Sequence, residues 1–212
     1  MKEHDSATAE GEYCRLLGDI APEIYVVTHG LYVMEYLEPA HREPGLLQEM
    51  ETALQSNVWE RCLTHLTQHD AEWHEHLTFR TGLLVPHFAR AGHLCMTHGD
   101  CTVSNAMRRG TRLVIGDPIS PRPHVARFAE TDMGRLLQSA AGWESVAYGE
   151  SPVEWDMPQF WTNKRVRRRA LWWCGATARR ILVDWQDRGQ LTPDVREWCE
   201  ETERRCFSAT IV

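Results

Sequence analysis

Apolar residues recur along this chain at two different periods, and the changes between them mark out its elements. Ala7, Ala9, Tyr13, Leu16 and Leu17 have helical spacing over 7–18, Gly18 stands where a helix would stop, and Pro22 follows. The runs Ile24 to Thr28 and Leu31 to Leu37 are β-rich and flank His29 and Gly30, the composition of a hairpin. Leu46, Leu47, Met50, Ala53, Leu54, Val58, Cys62 and Leu66 then return at intervals of three and four, predicting an amphipathic helix over 46–66. Trp73, Leu77, Leu83, Leu84 and Phe88 predict a long helix over 70–88, in which Pro86 either makes a kink or places the break earlier. Phe128 to Ala141 reads as a helix. The last third is helical and aromatic, with one helix from about Gln159 to Arg188 ended by Gly189 and another from Pro193 capped by Thr192.

Between these helical stretches lies a segment of another kind. The apolar lead-in Leu94, Cys95, Met96 ends in a turn, His98-Gly99-Asp100, and Asn105 follows five residues after the aspartate. Leu113-Val114-Ile115-Gly116 then leads to a second acid, Asp117, with Gly110 supplying the turn of a short hairpin. The result is a strand, turn and strand that bring three polar groups of the metal-binding kind to one place. Phosphoryl transfer needs such a set. One carboxylate orients the attacking hydroxyl and accepts its proton, while a second carboxylate and an amide oxygen hold the magnesium ions that neutralise the phosphates. Asp100, Asp117 and Asn105 fit these roles in that order.

His98-Gly99-Asp100 with Asn105, followed by Ile115-Gly116-Asp117-Pro118, resembles the aminoglycoside phosphotransferase and choline kinase branch of the protein-kinase-like fold. The likeness continues through Asp132-Met133-Gly134-Arg135-Leu136 and Ser139, then Gly142 and Trp143, and covers roughly 10–145. It implies an α+β, protein-kinase-like fold with a reduced small β lobe over 1–39 and a mainly helical large lobe over 40–212. It also implies that ATP and Mg2+ are used, with a small-molecule acceptor of sugar or amino-alcohol type. By the same resemblance Met34, Glu35 and Leu37 belong to the hinge that meets the nucleotide, and Asp132 hydrogen-bonds the catalytic-loop backbone. A first-turn acid favoured by the helix dipole is the plainer account of Asp132. His98 is expected to brace the loop rather than transfer a proton. Arg122 and Arg127, in and after the proline-rich loop at 118–123, are candidates for a phosphate or anionic substrate.

The chain departs from the family pattern before the hinge. It has only two lysines, Lys2 and Lys164, and neither a glycine-rich loop nor a lysine on a third strand. Lys2 precedes Glu10 and Glu12 without a strand around it. Two readings therefore stand: a compact phosphotransferase, or a catalytically inactive kinase-like module that binds a nucleotide or a protein. A shortened small lobe leaves a sheet edge uncovered, so a homodimer or a partner chain that completes it is an expectation too.

Composition narrows the setting. With 42% apolar and 25% charged residues the chain has ordinary globular proportions. A net charge of -7 argues against nucleic acid as a partner. There is no apolar run of about 18 residues to span a membrane, and the polar start argues against a signal peptide. A cytoplasmic location is expected, and seven cysteines without a C-x-x-C pair fit reduced thiols. The cluster Lys164, Arg165, Arg167, Arg168, Arg169, with Arg179 and Arg180 beyond it, is either a solvated helix face or an anionic-partner surface. The tryptophans of the last third either pack the core or, with Glu144, Glu150, Glu154 and Asp156, cage a cationic or sugar-like acceptor.

Overall fold

The structure is a computed structural model that describes residues 3–28, 31–40, 42–60, 77–92, 95–119 and 128–211. Helix α1 (Glu3–Leu17) begins earlier than its apolar spacing predicts and ends as expected, where Gly18 adopts φ 68° and a 3-10 turn, Gly18–Ile20, turns the chain. Strands β1 (Ile24–Thr28) and β2 (Leu31–Met34) pair antiparallel, with an irregularity between Ile24 and Val26. The turn residues His29 and Gly30 lie outside the described residues, as does Lys2. Tyr25, Val26, Val33, Met34 and Tyr36 are exposed on this small lobe.

A short strand β3 (Glu38–Pro39) carries the chain into a second sheet, ordered β3-β4-β5, with β4 (Ala106–Arg109) and β5 (Arg112–Ile115) forming the predicted hairpin around Gly110 at φ 61°. Ion pairs join the parts: Glu35 to Arg109, and Glu49 to Arg108 at 2.5 Å. The lead-in Cys95 and Met96 is not a strand, and Leu94 is outside the described residues.

Helix α2 (Leu46–Leu54) buries Leu46, Leu47, Met50 and Leu54, and then widens into a π turn, Gln55–Trp59, instead of running on as α-helix. The widening buries both Val58 and Trp59. The rest of the predicted 46–66 helix, from 61, is outside the described residues. The described part of helix α3 covers 77–81 and stops at Gly82, φ 70°, so the break precedes Pro86, which opens the short helix α4 (His87–Arg90).

The large lobe is built on α5 (Ala129–Ala140), α6 (Trp143–Tyr148), α7 (Lys164–Asp187) and α8 (Pro193–Thr210). Residues 159–162 form a separate 3-10 turn, and α7 starts only after Asn163, whose side chain caps the amides of Arg165 and Val166. Thr192 caps α8 through the Val195 amide. Helix α5 crosses α7 at Gly134, where an added Cβ would meet the Cys174 amide nitrogen at 2.8 Å. The main core runs from Tyr13, Leu17 and Ile20 through Leu47 and Met50 to Ile115, Leu136 and Cys174, so α1 and the turn after it share it with the large lobe. A second cluster is centred on Trp172, Trp173 and Phe128, and a third on Trp143, Ile181 and Cys199. Most of these tryptophans serve packing.

Among the described residues no helix is long and apolar enough to cross a membrane. Much of the basic cluster is engaged within the fold: Arg169 pairs with buried Glu130 at 2.6 Å, and Arg168 donates to the Thr210 carbonyl and lies over Phe88.

Candidate active site

The loop 97–105 has little regular structure of its own, so its position depends on side chains that satisfy its backbone. Asp132, fully buried on α5, accepts from the His98 amide (2.8 Å), the Gly99 amide (2.8 Å) and the Trp59 indole (3.0 Å). Burial pushes its carboxyl up, and these donors together with His98 oppose the shift. Ser139 accepts from the Val103 amide at 3.0 Å and donates to Glu144 at 2.7 Å. The Cys101 thiol is buried against the Asp132 carbonyl, and burial raises its pKa well above the ordinary value, which leaves it an inert packed group.

His98 is fully buried. Its Nδ1 accepts from the Asp100 amide (3.3 Å) and its Nε2 lies 3.1 Å from the Ile115 carbonyl, a pairing that requires a neutral ring with the proton on Nε2. Burial likewise holds the imidazole below its ordinary pKa, against the pull of Asp132. The ring thus ties the loop to β5, and the Ile119 amide closes the same link by donating to the His98 carbonyl at 3.0 Å.

Asp100, Asn105 and Asp117 line one cleft of about 260 Å³. The Asn105 side-chain nitrogen donates to the Asp100 carbonyl at 2.7 Å, which leaves Oδ1 without a protein hydrogen bond among the described residues. Asp117 follows β5 at φ 53°, a left-handed backbone that few residues other than glycine, asparagine and aspartate adopt. Burial of its carboxyl and the facing Asp100 push its pKa up. Two carboxylates in mutual repulsion beside a free amide oxygen form a donor set suited to a hard divalent cation. Among the described residues no group of three or more His, Cys, Asp or Glu could hold a metal, so such an ion would draw its remaining ligands from water or phosphate.

The hinge residues lie outside the lining of this cleft. None of Met34, Glu35 and Leu37 lines it; the Glu35 amide donates to the Glu23 carbonyl (2.9 Å), and its carboxylate is held by Arg109, which keeps it below the ordinary carboxylate range. Arg122 and Arg127 lie outside the described residues.

The structure gives roles at the cleft to residues for which the sequence reading named none there. Arg135 of α5, almost fully buried, pairs with Asp100 and with the Gln138 side chain, while its Nε is buried without a partner. Arg180 and Asp184 of α7 and Arg188 at its C-cap follow at intervals of four on the same cleft, with Ile181 and Trp185 between them and Trp143 and Tyr148 completing the wall. Their spacing of four is a sequence signal for one shared face. The acids expected to cage a cation are committed elsewhere: Glu144 is buried under Ser139, Glu150 pairs with Arg42, and Glu154 and Asp156 do not line the cleft.

Neither family models nor curated proteins match this sequence. A solved structure does match in three dimensions: a choline/ethanolamine kinase family protein from Mesorhizobium loti, with a TM-score of 0.53 and 14% identity over all of this chain and 79% of the other. The fold is therefore protein-kinase-like, α+β, with a reduced small β lobe and a mainly helical large lobe.

Proposed function

We propose that this protein transfers a phosphoryl group from ATP, with Mg2+, to a hydroxyl of a small molecule. The observation that carries this reading is the convergence of Asp100, Asn105 and Asp117 on one cleft, in a loop whose backbone is tied down by Asp132, Ser139 and His98. The choline/ethanolamine kinase family neighbour supports a kinase-like chemistry for the same fold.

Asp100 accepts the proton of the acceptor hydroxyl and orients its oxygen. Arg135, paired with Asp100, holds that carboxylate in position. Asn105 Oδ1 and the Asp117 carboxylate would hold the magnesium, which when bound neutralises charge on the phosphates. The aromatic wall of Trp143, Tyr148 and Trp185 limits water beside the reacting hydroxyl.

A second reading has its own support. The pairing of Arg135 with Asp100 occupies one oxygen of the proposed base, and a nucleotide-binding module without turnover would tolerate that permanently. Purified protein with Mg2+ATP and a panel of hydroxylated acceptors decides between them. The expected outcome is a Mg2+ATP-dependent rise in melting temperature and ADP formation that falls by about 100-fold or more in Asp100→Asn, with the variant's melting temperature unchanged. A thermal shift without turnover establishes the module instead, and no thermal shift removes both.

A further inference from the structure

Resting on the phosphotransferase reading, the cleft beside Asp100 has a charge pattern that restricts what can enter. Three guanidinium groups, from Arg135, Arg180 and Arg188, line a space of about 260 Å³. Arg135 is answered by Asp100, but its buried Nε has no partner. Asp184, the acid between the other two arginines on α7, is already held by Arg80 at 2.6 Å. The guanidinium groups of Arg180 and Arg188 have no hydrogen bond or ion pair among the described residues. Arg180 is half-buried between the other two arginines, and burial followed by Arg135 lowers its pKa, with Asp184 and Asp100 opposing. A guanidinium stays charged under such pressure, so the repulsion persists until an anion arrives.

The remaining acid of the lining, Asp117, belongs to the proposed metal side. A cation would meet Arg180 and Arg188 with Glu144 and Glu150 already engaged, and a neutral polyol would leave both arginines unanswered. Phosphate and carboxylate groups match the guanidinium fork with paired, charge-assisted hydrogen bonds.

We propose that the acceptor is a small hydroxylated anion, a polyol bearing a phosphate or carboxylate, with Arg180 and Arg188 holding its charged group while a hydroxyl reaches Asp100. Trp143, Tyr148 and Trp185 enclose the carbon skeleton, and a cleft of this size holds a monosaccharide-sized molecule rather than a polymer.

Isothermal titration of the full chain with glucose 6-phosphate, gluconate, glucose and choline tests this. At least one of the two anions is expected to bind at least tenfold more tightly than glucose or choline, and that binding is expected to weaken at least tenfold in Arg180→Ala and in Arg188→Ala. Should Arg180→Ala fail to fold, Arg180→Gln keeps the side-chain length and is held to the same loss. Equal binding of all four, a preference for choline or glucose, no binding of either anion, or anion binding unchanged in the variants overturns the proposal. Anion binding without ADP formation removes the phosphotransferase reading and leaves the anion site standing. ADP formed on choline or glucose in preference to the anions does the reverse.

Discussion

One wall of the cleft is the loop 97–105, whose amides at His98, Gly99 and Val103 are satisfied by side chains of a single helix, α5. The facing wall, α6 and the last turns of α7, is held by packing: Trp143 lies 5.5 Å from Trp185 and 5.0 Å from Trp198, ring centre to ring centre, and Ile181 joins them in the third apolar cluster. Changing a polar group on the loop wall strands buried donors. Changing Arg180 or Arg188 on the helical wall removes a charge that no protein group among the described residues pairs with. Stability and ligand recognition are thus partly separable here: Asp132 and Ser139 behind the first wall hold the fold, and Arg180 and Arg188 of the second are free to face a ligand.

The largest expected effect comes from removing the anchor of the loop wall. Asp132→Ala removes the carboxylate that accepts from the His98 and Gly99 amides and the Trp59 indole, at about 1–3 kcal/mol for each buried donor it strands, so urea denaturation is expected to show a loss of about 3 kcal/mol. A loss under about 1 kcal/mol would mean that the loop holds itself.

A smaller effect is expected from pH, through His98. Its folded pKa is depressed by burial, so between that value and its unfolded value near 6.5 the unfolded chain binds a proton that the native chain does not. Its contribution is present in full above the unfolded value and is lost as pH falls through that window. The buried carboxyls with raised values, Asp117 and Asp132, act in the opposite sense, losing stability as pH rises through their raised pKa values. Comparison with His98→Gln isolates the ring: wild type is expected to lose more stability than the variant between pH 7.5 and 5.5. Parallel pH slopes would show that the ring is not buried neutral.

The smallest effect sharpens the contrast from the other wall. Arg188 is exposed and its side chain has no partner among the described residues, so Arg188→Ala is expected to change unfolding free energy by no more than about 0.5 kcal/mol. A loss above about 1 kcal/mol would make the helical wall structural after all.

The same division explains how much could be read from the residues alone. The loop wall is legible because its chemistry is local: His98 through Asn105 span eight positions, and Asp117 follows at the end of one hairpin. Gly18, Gly110, Gly189 and Thr192 punctuate the chain where turn and cap preferences put them. The helical wall is assembled from residues 143 to 188, and Arg180 reads equally well as part of a solvated basic face until α5 and α7 are seen to pack together. The π turn at Gln55–Trp59 has no sequence signature, yet it accompanies the burial of Trp59, whose indole reaches Asp132. The hinge expectation for Met34, Glu35 and Leu37 rests on resemblance and concerns their backbone, while the Glu35 carboxylate is claimed by Arg109.

Where α5 crosses α7, Gly134 lets one main chain lie directly against the other, with no side chain between them to yield. Arg135 is the next residue on α5, and Arg180 lies farther along α7. The two helices thus form a rigid hinge-less frame, and a guest is met by arginine side chains that swing from fixed roots.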